Sequence, residues 1–349
     1  MTQLLSTQFQ HMLQKMNLRI PTLALLTFTI IHHSQAQYIH PPEPIKGHYK
    51  TLAALSPEPS AERAAMDTIL FPWSEYSKAA ISASLWRTWY LSHEDETSLP
   101  GLIRFPANSS AQTRAELDYL LELQAKRTPQ EVQRAEYIAN FGSWPDLINP
   151  SDTNTTENLR ELFYIPNAVI GQWYNPDNFP ATTQLLLHCI QDIRITEFRL
   201  KRYFKRARPY HLEPRLQPLD HIHSPSFASG HSLWSFTEAY IFSEIIPSHR
   251  ADFLQRAEEV RWSRELMGIH YPSDNEASRV IGWHLLDDWY HNPLFIADME
   301  AAKAEWTAKR AAFPHQARTL SSPPLPPSVS QLTLSTSPVP SLVIASLQH

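Results

Sequence analysis

Between Lys201 and Asp274 the chain carries three groups of residues whose types and spacing suit chemistry on a tetrahedral oxyanion. The first runs from Lys201 through Lys205, Arg206 and Arg208 to Pro209. Lys201 and Arg208 are seven residues apart, close to two helical turns, so one predicted helix holds both cations on one face about 10 Å apart. A guanidinium can fork onto two oxygens while an ammonium supplies a point charge to a third. The second group is Ser226-Phe-Ala-Ser229-Gly230-His231. Read as a helix start, it offers Ser229 as a cap, Gly230 as a place of close backbone approach, and unpaired amides facing an anion. His231, in the first turn, stands where it could donate a proton. The third group is Ser263-Arg264, then His270 and Asp274. If Asp274 accepts from Nδ1–H of His270, the Nε2 lone pair is left to face the cavity as base or nucleophile. Arg264, late in the preceding predicted helix, can point into the same pocket.

Each group alone has an ordinary alternative. Arg199 to Arg208 could be a solvated basic face, Ser229 a plain helix cap, and His270–Asp274 a surface hydrogen bond. Their occurrence together and in order is what carries weight. The pattern Lys-x6-Arg-Pro, then Ser-Gly-His, then Ser-Arg-x5-His-x3-Asp resembles the phosphatidic acid phosphatase type 2 and haloperoxidase superfamily. The first and third motifs match in full. The second departs at Ala228, where the family usually has Pro. The resemblance covers roughly residues 110–300. With an export signal and a short gap between the first two motifs, it looks most like the bacterial class A non-specific acid phosphatases.

That resemblance implies an all-α fold, a compact helical bundle of the PAP2/haloperoxidase type, and a phosphomonoesterase without metal or other cofactor. It implies that Lys201, Arg208, Arg264 and the backbone at Ser229 and Gly230 bind phosphate oxygens. His270 would attack phosphorus, Asp274 would orient His270, and His231 would protonate the leaving group. The expected partner is a small phosphomonoester, and homo-oligomers occur in the family. Two other readings use the same residues: a vanadium-dependent haloperoxidase holding vanadate, and a non-catalytic oxyanion-binding protein.

The elements that must position these residues are legible as helices. The chain has 349 residues, with 7 Gly and 29 Pro, and Leu/Ala/Glu/Arg-rich runs that favour helix over hairpin. Helices are predicted over 182–207, 229–246, 251–269 and 273–289. Residues 111–139 should form two, the second opened by Thr128 as cap and Pro129 in its first turn. The aromatic-rich Trp73 to Tyr90 reads as a packed helix. Residues 66–313 are expected to be the phosphatase domain. Residues 37–65 are expected to be an extended Pro-rich arm, and the Ser/Pro-rich 314–349 a disordered tail.

The formal net charge of −5 argues against nucleic acid as a partner. Lys15, Arg19, the apolar run Ile20 to Ile31 and Ser34-Gln35-Ala36 read as a signal peptide over 1–36 cut before Gln37. The apolar run is shorter than the ~20 residues of a membrane span, so a periplasmic or secreted protein is expected, with Met16 the more typical start. Asn108-Ser-Ser and Asn154-Thr-Thr match the glycosylation pattern. The one cysteine, Cys189, lies in an apolar run and reads as a buried helix residue. His221 and His223 read as exposed loop residues, and His284 as a core or interface histidine rather than a metal ligand.

Overall fold

The computed structural model describes residues 44–141 and 159–311. The signal peptide and tail assignments and Asn154 lie outside them. Among the described residues the structure is helical, and the one pairing outside the helices is an isolated bridge between Leu70 and Arg206. In chain order the helices are α1 (Gly47–Ala53), α2 (Lys78–Ala83), α3 (His93–Leu102), α4 (Ala111–Lys126), α5 (Pro129–Ala139), α6 (Tyr164–Ile170), α7 (Pro180–Phe204), α8 (Pro209–Leu212), α9 (Gly230–Ile245), α10 (Arg250–Leu266), α11 (Pro272–Trp289) and α12 (Pro293–Lys309).

Several prolines start helices. Pro129, Pro180, Pro209, Pro272 and Pro293 each stand in a first turn, where no N–H is needed. Thr128 and Glu131 close a reciprocal capping box on α5, as the sequence predicts for Thr128. Asn292 caps α12 by accepting from the Leu294 amide at 2.9 Å.

Helix α9 is the axis of the bundle. Its residues from Ser232 to Ile245 are buried on all sides apart from Glu244, so it has no solvent face to keep polar. Helices α7, α10 and α11 surround it, and α12 packs along α7. Where α11 crosses α9, Gly282 lets the backbones close up: a Cβ there would lie 2.7 Å from Thr237 Oγ1. Trp289 and Phe295 pack into the same core, with Cys189 among them as expected. Phe105 and Phe204 pack on Phe227 at 5.2 and 5.0 Å between ring centres, which holds the loop before α9 where the usual Pro is absent.

Several expectations need correction. Trp73 to Tyr90 is not one helix: a 3-10 turn at Trp73–Glu75 is followed by the short α2 and then turns. The arm is not wholly extended, since α1 buries His48, Tyr49 and Leu52. Asn108 does not suit a glycan, because it is buried and its Nδ2 donates to Met66 O at 3.0 Å and Ile69 O at 2.9 Å. The helix expected through Ala207 ends at Phe204, and Lys205 reverses the chain with φ 52°. Lys201 and Arg208 are therefore not on one helix. The reversal instead turns both Arg206 and Arg208 into the core, where each is 1% exposed.

Candidate active site

Four elements bring the predicted residues together: the last turns of α7, the reversal at 205–208, the start of α9, and the turn from α10 into α11. Lys201 Nζ donates to Pro225 O at 2.7 Å and is buried. Burial, and then the Arg208 charge, push its ammonium down to about 7. Arg208 spans the pocket: Nε donates to Ser224 O at 2.8 Å, and Nη1 to Ile269 O at 2.8 Å. Arg264 is buried, donates from Nη2 to Ala135 O at 3.1 Å, and is pushed down to about 9 by burial.

His270 sits between an acid and a cation. Its Nδ1 is 3.2 Å from Asp274 Oδ2, and its Nε2 is 2.9 Å from Arg208 Nη1. A guanidinium can only donate, so Nε2 is the acceptor and Nδ1 carries the proton. This is the tautomer a nucleophilic imidazole needs. Burial, and then Arg208, hold His270 well below the ordinary histidine range, so the ring is neutral.

Asp274 is fixed from four directions. Besides His270, it accepts from Arg206 Nη1 at 2.6 Å, Ser226 Oγ at 2.5 Å and the Tyr271 amide at 3.0 Å. Burial alone would raise its carboxyl, but Arg206, with His270 and Ser226, overcomes that and holds it well below the carboxylate range.

At the start of α9, the first-turn amides of Gly230, His231 and Ser232 have no intrahelical partner. Ser229 occupies the cap position, but its hydroxyl donates to Ser232 Oγ at 3.3 Å and does not cap the helix. His231 is half-buried, with Nε2 3.3 Å from Ala139 O. Burial, and then the Arg264 charge, push it well below the ordinary range. His221 and His223 are exposed, and His284 is half-buried against Trp283.

Three residues of the site were not foreseen. Arg206 lies under Asp274, sandwiched 3.9 Å from the Tyr271 ring centre and 4.8 Å from Phe105. Glu116 on α4 stands 3.6 Å from Arg206 Nη2 and accepts from Ser273 Oγ at 2.8 Å. Burial pushes this carboxyl up to about 7 in spite of Arg206. Glu197, one turn before Lys201, packs its carboxylate against Gly230. The cationic density at 199–208 contains Arg206 but does not say which charges turn inward.

Residues 182–292 match the family described as PAP2 superfamily, a span that holds all three motifs. A non-specific acid phosphatase of Providencia stuartii is 32% identical over 81 residues, 23% of this chain and 33% of that protein. One from Salmonella typhimurium is 27% identical over 145 residues, 40% of this chain and 56% of that protein. The chain thus spans from a third to just over half of these curated relatives. A solved bacterial vanadium-dependent iodoperoxidase aligns with TM-score 0.38 and 17% identity, over 53% of this chain and 51% of that one. By its family match the chain resembles the PAP2 superfamily over its motif-bearing helices, as the motifs implied, and non-specific acid phosphatases are among its relatives. Among the described residues no helix is long and apolar enough to cross a membrane.

Proposed function

We propose that the protein is an exported acid phosphatase that hydrolyses small phosphomonoesters through a phosphohistidine, without metal. The observation that supports this best is the His270 tautomer: Nδ1–H is directed to Asp274 and the Nε2 lone pair to the cationic side of the pocket. Simple anion binding has no use for an oriented, neutral imidazole. Acid phosphatases among the relatives favour the same reaction.

Phosphoryl transfer asks chiefly for positioning and for charge opposite the equatorial oxygens. Arg208, Lys201, Arg264 and the first amides of α9 supply that charge from several sides. On binding, the Arg208 Nη1 hydrogen exchanges His270 Nε2 for a phosphate oxygen, which frees the lone pair beside phosphorus. The P–Nε2 bond forms as the ester P–O bond breaks, and the alkoxide takes a proton from His231. Asp274, anionic across the working range, stabilises the positive imidazole that results.

His231 must hold that proton in the complex although burial and the Arg264 charge disfavour it. The substrate's negative charge beside it reverses the balance, and low pH helps. Water then attacks phosphorus, gives its proton to neutral His231, and the P–Nε2 bond breaks to release phosphate and His270.

The test is hydrolysis of p-nitrophenyl phosphate with EDTA present, from acid to neutral pH, by the wild type and His270→Ala. Turnover that resists EDTA and is lost in the variant is expected. No turnover at any pH overturns the phosphatase reading, and vanadate with halide and peroxide, then phosphate binding alone, separate the two other uses of the pocket.

A further inference from the structure

Helix α7 turns more charge toward the pocket than the Lys-to-Arg motif contains. Arg194, Glu197 and Lys201 follow one another at three- and four-residue spacing and so share a helix face. Arg194 Nη1 donates to Glu197 Oε2 at 3.1 Å, and Lys201 Nζ lies 3.8 Å from Glu197 Oε1. The carboxylate is 6% exposed as part of its residue and stands against Gly230, where any Cβ would overlap it. Gly230 is the first residue of α9, at the helix end where an anion is favoured. The Arg194 charge reaches His231, and the Glu197 charge reaches both Lys201 and Arg208. A fixed anion thus shares the cationic pocket that an incoming phosphate group must enter.

We propose that Glu197 is a specificity-determining residue, a charge selector set inside the oxyanion pocket. Its carboxylate competes with the ligand for Lys201 and for the first turn of α9, so each additional negative charge on the oxyanion gains less from the pocket than its cations alone would give. Glu197 thereby narrows the advantage that doubly charged phosphate esters hold over singly charged ones of the same shape. The inference rests on the reading of this pocket as an oxyanion site. A purely structural role, holding Lys201 in place, would act in the opposite direction. Lys201 has a separate anchor for that, the 2.7 Å hydrogen bond to Pro225 O.

The experiment is calorimetric binding of inorganic phosphate to the full chain and to its Glu197→Gln and Glu197→Asp variants at about pH 5, where Lys201 keeps its proton. Sulfate and perchlorate, tetrahedral ions of two charges and one, are then measured by competition. Glutamine keeps the side-chain length and can still accept from Arg194, so the charge alone is removed. Phosphate, singly charged there, should bind about threefold tighter to Glu197→Gln, as expected for deleting a unit charge at close range that Arg194 partly offsets. Coulomb energy scales with ligand charge, so a gain of about threefold for perchlorate implies about tenfold for sulfate. A structural role would not produce that dependence on charge. Unchanged or weaker phosphate binding by folded Glu197→Gln overturns the proposal, as does an equal gain for both ions. If Glu197→Gln does not fold, Glu197→Asp decides, because its carboxylate retracts from Gly230. A few-fold tightening is expected there, and none overturns the proposal. No phosphate binding by any of the proteins overturns the oxyanion reading, and this inference with it.

Discussion

Replacing Arg206 by Met removes the cation under the His270–Asp274 pair while keeping most of its bulk between Phe105 and Tyr271. Arg206 Nη1 donates to Asp274 at 2.6 Å and to Ser273 Oγ at 2.9 Å, with Glu116 3.6 Å from Nη2 and no solvent contact for any of the charged groups. Two unit charges about 4 Å apart interact by about 4 kcal/mol at an effective dielectric constant near 20. Removing one partner of such a buried pair costs about 3–5 kcal/mol, because the other is left desolvated and uncompensated. In a domain of this size that lowers Tm by roughly 10 °C. The sign with pH follows from the two carboxyls. In the wild type Asp274 is held below its unfolded value, so its contribution favours folding above that value and is lost only as pH falls through the depressed one. Without Arg206, burial dominates: Asp274 rises above its unfolded value, and Glu116, already above its own, rises further. Folding of the variant then weakens as pH rises from about 4 to 7, and the gap to the wild type widens over that window. Urea unfolding at pH 4.5 and pH 7 measures the gap. The acidic limb of p-nitrophenyl phosphate hydrolysis should also move toward neutral pH, since protonated Asp274 no longer orients His270. A loss under 1 kcal/mol, or a gap that is the same at both pH values, would refute the reasoning.

Two further outcomes follow from the pocket. Because burial and Arg208 bring Lys201 down to about 7, kcat/KM should fall as pH rises through that value and the cation is lost. Lys201→Arg, whose charge persists, should carry that alkaline limb upward in the pH profile. Gly230→Ala should lower kcat/KM by about a hundredfold or more, because its Cβ and the Glu197 carboxylate cannot share one place. Adding Glu197→Ala should recover part of that loss in the same p-nitrophenyl phosphate assay, and the absence of recovery would place the fault elsewhere in the turn.

Local interactions were the legible part of this chain. The capping box at Thr128 and Glu131, the prolines in first turns and the apolar run around Cys189 each act within a few residues, so the sequence window contains the whole cause. The same holds for the His270–Asp274 bond, where the pair straddles the start of α11. The exit from α7 was misread because its cause is distant: the helix stops at Phe204 as Arg206 is drawn to Asp274 and Glu116, neither of which is near it in sequence. The glycosylation pattern at Asn108 is likewise blocked from a distance, since the carbonyls of Met66 and Ile69 that occupy its amide come from another part of the chain.

The sequence by itself determined the helical class, the order of the three motifs and the chemical types gathered in the pocket, because helix signals and motif spacing are short-range. Only the tertiary structure decided which charges act. Six cations lie between Arg199 and Arg208, and they look alike in sequence. Burial makes Lys201, Arg206 and Arg208 different from the rest, and it depends on carbonyls and carboxylates brought from the loop at 224–226, from α4 and from α11. A charge's influence grows as its surroundings exclude water. The anion set against Gly230 belongs to the same class of fact: α7 brings the Glu197 carboxylate to the place that a Cβ of residue 230 would fill.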